Sequence, residues 1–423
     1  MAESDPIVIT GMGAVTPLGV GVATNWERLI AARSGIRFND RFDVSQLSCQ
    51  IAGLVPAKAE DPHGFDPLDF VDPKDIKKMD VFIQYGLGAA QEAVEQSGWK
   101  PQTDAEREAT ATIIATGVGG FPNMTDAAIT LKERGPRRLS PFVVPSFLAN
   151  LAAGWISIRH GFRGPLGTPV TACAAAAQAI GDGARLIRSG EAEVAVVGGA
   201  EGSIDPVTIG GFGAARALST GFNDRPSEGS RPFDRDRDGF VLAEGAAILV
   251  IERLSHALAR GAEPLARLAG YGTSADAYHL TASPPDGEGA QRAMRLALRS
   301  AGISPADVGY LNAHSTSTPV GDAAEIAAIG QVFANRGKDL AISATKSATG
   351  HLLGAAGGIA AIYTIMALRT GILPPTLNLD NPDESAAVFD LVAKRSKAKE
   401  VAYAIVNAFG FGGVNASLCL GRV

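Results

Sequence analysis

Cys173 stands in TPVTACAAAAQAIGDG (168–183), where small residues read as a strand that ends at a cysteine opening an alanine-rich helix. A thiol there faces the unpaired N–H groups and positive dipole end of the helix, which favour thiolate and so nucleophilic chemistry. His314, in LNAHSTSTPVGD (311–322), lies where a strand-like run stops at a hydroxyl-rich turn, a common place for a reactive side chain. His351, in ATKSATGHLLGAAGG (344–358), precedes a second small-residue helix, and Lys346 shares its loop. A buried ammonium needs a partner, and Glu325, on the helix after the His314 loop, is the candidate. In NAFGFGGVN (407–415), Gly410, Gly412 and Gly413 surround Phe411, suggesting a tight turn with N–H groups facing a ligand and a ring as lid. It has no GxxxxGK[ST] pattern, so it is not a phosphate loop. Each residue alone has a plainer reading: a gap-filling thiol, a hydrogen-bonded imidazole, a helix cap, a solvated amine.

The elements that must position these groups are short apolar runs bounded by glycine, at 6–13, 111–120, 193–202, 246–254, 308–316, 339–347 and 401–413. They read as strands buried on both faces. Helical patterns alternate with them, for example 81–98 and 289–302, with Gly98 and Gly302 as C-terminal stops. Alternation of this kind implies an α/β fold with largely parallel pairing. The unit strand, reactive loop, small-residue helix, glycine occurs twice, at 168–199 and 339–374. Packed as pseudo-repeats, the two units bring Cys173 and His351 together near an internal two-fold axis. The join between halves falls near 255–265, giving halves of 1–258 and 259–423. Residues 35–80 and 121–145 are irregular and expected to cap one end of the core.

Of 423 residues, 46% are hydrophobic and 19% charged, with 50 Gly but only 17 Phe, 6 Tyr and 3 Trp, so the interior is built from small aliphatic side chains packed tightly. A net charge of −6 and no long basic block argue against nucleic acid or an anionic membrane as main partner. Three scattered cysteines give neither a disulfide framework nor a zinc site and fit a reducing cytosol; no metal is expected. The N-terminal MAESDPIVITGMG has no export pattern, and the apolar stretch 352–368 reads as a buried core helix.

Eight collinear segments carry a resemblance: VITGMGAVTPLG (8–19), KKMDVFIQYG (77–86), TAC (171–173), RALST (216–220), RPFDRDRDGFVLAEGA (231–246), NAHSTSTPVGD (312–322), TKSATGHLLGAAGG (345–358) and FGFGGVN (409–415). Together they span essentially the whole chain, which resembles the elongating β-ketoacyl-[acyl-carrier-protein] synthases, those of type II above all. The resemblance implies a thiolase-like fold: duplicated α/β halves in a five-layered αβαβα core, normally a homodimer in the cytoplasm. It implies a Cys-His-His site on Cys173, His314 and His351, with Lys346 and Glu325 matching the family's lysine and glutamate. Acyl transfer to the cysteine would use the N–H groups of Cys173 and Phe411 as oxyanion hole. Decarboxylative condensation with malonyl-[acyl-carrier-protein] would then give a 3-oxoacyl product two carbons longer. Thr316 and Thr318 match hydroxyls of the pantetheine channel, Phe411 a gate, and Phe409, Gly410 and Gly412 its turn. Lys74, Lys77, Lys78 and Arg216 are candidates for docking the acidic acyl carrier protein. No resident cofactor is implied, because phosphopantetheine arrives on the carrier.

Three positions depart from the family: Ser315 where Gly is usual, Val414 where Thr is, and Gln178 where His is. They keep open a specialised paralogue for unusual or very long acyl chains or polyketide intermediates. A degradative thiolase needs a second catalytic cysteine, and Cys419 lies outside a suitable turn. Initiating condensing enzymes use Cys-His-Asn. A chain-length-factor-like partner subunit lacks the nucleophile retained here, and a cysteine hydrolase would release free acid.

Overall fold

The computed structural model describes residues 5–423. In its first half, five strands make the path of the main sheet, in chain order Ile7–Thr16, Thr110–Ala115, Leu166–Gly167, Val194–Glu201 and Gly245–Arg253, while Gly19–Val20 pairs beside the first and Ile36–Phe38 with Ile51–Gly53 forms a separate ribbon. The five lie side by side in the order third, second, fourth, fifth, first. The second half repeats this order with Ala266–Ala275, Val308–Asn312, Ala341–Ser343, Tyr403–Gly410 and Val414–Gly421. Directions repeat as well. In each half the second strand pairs parallel with the third and fourth, and the fifth runs antiparallel to the fourth and first. The duplication read from one loop and helix therefore extends over ten of the twelve strands of the sheet, with Asp390–Leu391 and Gly19–Val20 outside it, and the first strands of the halves join through Val8 with Arg267 and Ile9 with Ala266.

Two central helices, Ala175–Ser189 and Ala356–Thr370, pack against each other and between the half-sheets. Val81–Ser97 and Leu151–His160 cover the outer face of the first half, and Glu288–Ala301 and Pro319–Val332 that of the second. This is the five-layered αβαβα arrangement. Small residues make it possible: a Cβ on Gly181 would lie 2.3 Å from the Tyr271 ring, and one on Gly357 2.8 Å from the Ala177 backbone nitrogen. The second central helix is buried on nearly every side and is the core helix expected over 352–368. Gly98 and Gly302 end their helices in the left-handed conformation at φ 65° and 69°. The expected join at 258/259 falls within the short helix Leu254–Ala259.

Several expectations need correction. Pairing is mixed rather than largely parallel, since the fifth strand of each half is antiparallel to both neighbours, and 121–145 is not irregular, because Phe121–Arg134 is a helix. The strand before Cys173 does not form over residues 168–171; only Leu166–Gly167 pairs, with Thr112 and Ile113, because Pro165 and Pro169 lack the N–H groups a ladder needs. The strands Ala266–Ala275 and Val414–Gly421 were not foreseen.

Candidate active site

Ala172 adopts φ 48°, a conformation that L side chains rarely take, and this kink turns the chain through a 3-10 turn, Ala172–Ala174, into the first central helix. Cys173 is thrust out at its apex. The second half repeats the device: Leu353 at φ 42° starts the turn Leu353–Ala355 before the second central helix. His351 precedes that turn by two residues and is strapped to the 241–243 segment by its own N–H to the Val241 carbonyl at 2.8 Å and by the Ala243 N–H to its carbonyl at 3.0 Å. The straps bring His351 Nε2 to 2.9 Å from Cys173 Sγ. His314, just beyond the strand Val308–Asn312, sets its ring 5.4 Å from that of His351 at 79° and 5.7 Å from Phe409. Thiol and both imidazoles thus surround one point, and Phe240 walls His351 at 5.4 Å.

Glu325 does not pair with Lys346 as expected; no ion pair joins them among the described residues. Its carboxylate is filled by four donors: the N–H groups of His314 (2.9 Å) and Ser315 (2.6 Å), the Ser315 hydroxyl (2.7 Å) and Asn407 Nδ2 (3.0 Å). Glu325 therefore positions the His314 loop. Asn407, absent from the sequence reading, is held by the Ser417 hydroxyl on its Oδ1 at 2.8 Å. Its signal was visible: an amide inside an otherwise apolar strand. Lys346 is 4% exposed, and burial lowers its pKa to about 8, against the opposing pull of Glu325, Cys173 and Asp322.

The electrostatics also revise the thiolate expectation. Burial pushes the Cys173 thiol up to about 12; Lys346 and the N–H groups of Phe411 and Cys173 pull it down without winning, and Glu201 adds to the rise. Burial, then the charge of Lys346, holds both imidazoles well below 6.5. Each of these shifts favours the uncharged form of its group. Both Nδ1 atoms are buried without a partner among the described residues, and the thiol at 2.9 Å is the protein group that faces His351 Nε2.

These residues line a cavity of about 460 Å³ that also takes in Thr316, Thr318, Phe409, Gly410 and Phe411. The Thr316 and Thr318 hydroxyls are 3.2 Å apart, and Phe411, 41% exposed, sets its edge toward Phe212 at the entrance. Gly412, at φ 86°, turns the chain behind it. Arg216 reaches the cavity wall, whereas Lys74, Lys77 and Lys78 lie outside it. Lys74 pairs with Asp72 at 2.8 Å and Lys78 with Asp75 at 2.6 Å. Gln178 bonds Asp182 on its own helix at 3.2 Å, and Val414 opens a strand opposite Ala275, so of the three departures only Ser315 bonds within the catalytic cluster.

A duplicated sheet sandwich with a cysteine on one central turn and a histidine just before the other defines a protein of the thiolase fold. The chain matches the descriptions "Beta-ketoacyl synthase, N-terminal domain" over residues 4–257 and "Beta-ketoacyl synthase, C-terminal domain" over 265–380. It is 47% identical, over 98% of both chains, to 3-oxoacyl-[acyl-carrier-protein] synthase 2 of Rhizobium meliloti (strain 1021). Among solved structures, a beta-ketoacyl synthase from Burkholderia phymatum STM815 superimposes with a TM-score of 0.90 at 32% identity, covering 99% of this chain and 100% of that one. A type II PKS ketosynthase in complex with its acyl-carrier protein gives 0.90 at 28% identity, over 100% of both chains. The chain belongs to the beta-ketoacyl synthase family.

Proposed function

We propose that this chain elongates acyl chains by decarboxylative Claisen condensation, and the observation that carries the proposal is the Cys173 Sγ to His351 Nε2 contact of 2.9 Å with His314 beside it. Because the thiol is neutral at rest, its proton passes to His351 Nε2 as Sγ attacks the thioester of an acyl carrier. The N–H groups of Cys173 and Phe411 receive the oxyanion. Collapse of the tetrahedral intermediate expels the carrier thiolate, which takes the proton back from His351. Malonyl carrier then enters, its pantetheine amides meeting Thr316 and Thr318. Loss of CO₂ leaves an enolate whose oxygen accepts N–H donation from His314 and from His351, the latter in its Nε2–H tautomer. The enolate carbon attacks the acyl-cysteine, Sγ leaves as thiolate and takes one proton from solvent, and a 3-oxoacyl carrier departs.

The reactive thioesters arrive on the phosphopantetheine arm of an acyl carrier protein, with no resident cofactor in the enzyme. Arg216 at the cavity wall meets the acidic carrier there, and Lys74, Lys77 and Lys78 extend the docking surface. Identity of 47% to a synthase 2, against 28% to the polyketide ketosynthase, favours straight-chain elongation over polyketide work. Residues 1–258 and 259–423 act as the two halves, and the protein works in the cytoplasm as a homodimer. Exposed apolar side chains crowded into one stretch of chain, Ile129, Leu131, Val144, Ile158 and Val170, support a second copy as the cover.

Acyl carrier and malonyl carrier, incubated with the protein, yield 3-oxoacyl carrier and CO₂, with an acyl mass increase confined to the Cys173 peptide. Cys173→Gln loses condensation but keeps malonyl decarboxylation, whereas His314→Ala loses about 10²–10³ of the decarboxylation rate. Free acid as sole product, or no label on Cys173, overturns the proposal.

A further inference from the structure

The duplicated turns differ at one place. Each fourth strand has eight residues and ends over the turn of the opposite half, Val194–Glu201 from the first half and Tyr403–Gly410 from the second. The ends cross over: Gly410 lies against the Cys173 turn, where a Cβ would come within 3.2 Å of the Cys173 nitrogen. Glu201 lies against the other turn, and its Oε2 accepts the N–H of Gly354 at 3.0 Å. Gly354 occupies in its turn the place that Cys173 occupies in the first, one residue after the positive-φ kink. Where glycine leaves the Cys173 N–H open to a substrate oxyanion, a carboxylate of the protein itself fills the matching position.

Glu201 is fully buried and faces donors only. Its Oε2 also accepts the Gly117 N–H at 2.7 Å, and its Oε1 accepts the Ser203 hydroxyl at 2.7 Å and the Thr116 hydroxyl at 3.3 Å. That set is the complement of a carboxylate. Burial raises its pKa against these four bonds. It clamps two backbones face to face, for a Cβ on Gly354 would lie 2.1 Å from the Gly117 nitrogen. Gly117 and Leu353 are cavity wall, His351 lies three residues before Gly354, and the Thr116 N–H holds the Pro169 carbonyl on the cysteine side at 3.3 Å.

We propose that Glu201 is a positioning residue: an internal oxyanion surrogate that occupies the vestigial second hole, locks the His351 turn against Cys173 and keeps a carboxylate near the thiol. The claim rests on the proposed condensation, and wild-type turnover in the same assay tests that separately. Glutamine fits the geometry without the charge. Its oxygen can accept the Gly117 and Gly354 amides while its NH₂ donates to the hydroxyls of Ser203 and Thr116, which can rotate to accept. Alanine provides neither.

Glu201→Ala is expected to lower kcat for condensation at least tenfold with the KM for malonyl carrier within twofold, and Glu201→Gln to stay within threefold of wild type in both. Glu201→Gln should also alkylate Cys173 with iodoacetamide at pH 8 at least threefold faster, because the charge that raises the thiol is gone. That readout needs only the glutamine variant and holds even where Glu201→Ala does not fold. Unchanged alkylation in Glu201→Gln, loss of kcat in Glu201→Gln equal to that in Glu201→Ala, or wild-type kcat in Glu201→Ala each overturns the inference.

Discussion

A single methyl group at position 410 should separate acylation from decarboxylation. Gly410 does not have a positive φ, so alanine meets no backbone strain there; what it meets is backbone. An ideal Cβ lies 2.8 Å from the Thr171 carbonyl oxygen and 3.2 Å from the nitrogens of both Cys173 and Ala174. Main-chain atoms give way less readily than a side-chain tip, so relief comes by moving the Phe411 turn away from Cys173. Overpacking of this kind costs about 1–3 kcal/mol of stability. The larger effect is catalytic: the methyl crowds one oxyanion donor and shifts the other, and losing one such donor costs about 10²–10³ in rate, roughly 3–4 kcal/mol. Acylation of Cys173 by acyl carrier, followed by intact mass against time, should slow by that factor. Malonyl decarboxylation, which uses His314 and His351, should slow by less than about tenfold. Gly412→Ala is the control: it pays for a φ of 86° but has nothing within 4 Å to strike, so it should lose about 1 kcal/mol of stability and little acylation rate. Folded Gly410→Ala that acylates within threefold of wild type would refute the assigned hole, and equal loss of both reactions would show that the methyl disturbs the whole site.

The buried ammonium of Lys346 is disfavoured in the fold relative to the unfolded chain, so its penalty is full below pH 8, shrinks as pH rises and is gone above about 10.5. Lys346→Met should therefore be more stable at pH 7 by up to roughly 3 kcal/mol, with the gain vanishing by pH 10.5 in denaturant titrations; a gain independent of pH refutes this. Ile158, 72% exposed, should anchor the interface between copies. At low micromolar concentration Ile158→Asp should elute at monomer mass where wild type elutes as a dimer, and a monomeric wild type ends that expectation.

Cys173, His314 and His351 were legible because each is a reactive side chain next to a small-residue helix or hydroxyl-rich turn, a pattern that needs only local sequence, even though no strand forms directly before Cys173. The repeat was legible for the same reason. Ala266–Ala275 was not, because the helix Glu288–Ala301 presses so closely on it that Cβ atoms on Gly270 and Gly272 would lie 2.2 Å and 2.1 Å from that helix's carbonyl oxygens. Glycine at those points erases the apolar pattern that marks a strand. Glu325 illustrates a second limit: its spacing pointed toward Lys346, yet the amides of His314 and Ser315 reached the carboxylate first. The helix start that favours a thiolate is a local feature, whereas the burial that opposes it is supplied by segments distant in the chain.

The second central helix, Ala356–Thr370, has almost no face for water, and its partner Ala175–Ser189 needs it as a cover. On the ribosome the strand Gly245–Arg253 is synthesised roughly 100 residues before that cover, an interval of about 5–20 s at ordinary elongation rates. During it the alanine-rich flank of the earlier helix is uncovered, and no imidazole from residue 351 yet exists to meet the thiol. Activity thus cannot precede the completed chain, and the nascent protein passes through a sticky half-built stage in which a holding chaperone has a defined surface to shield.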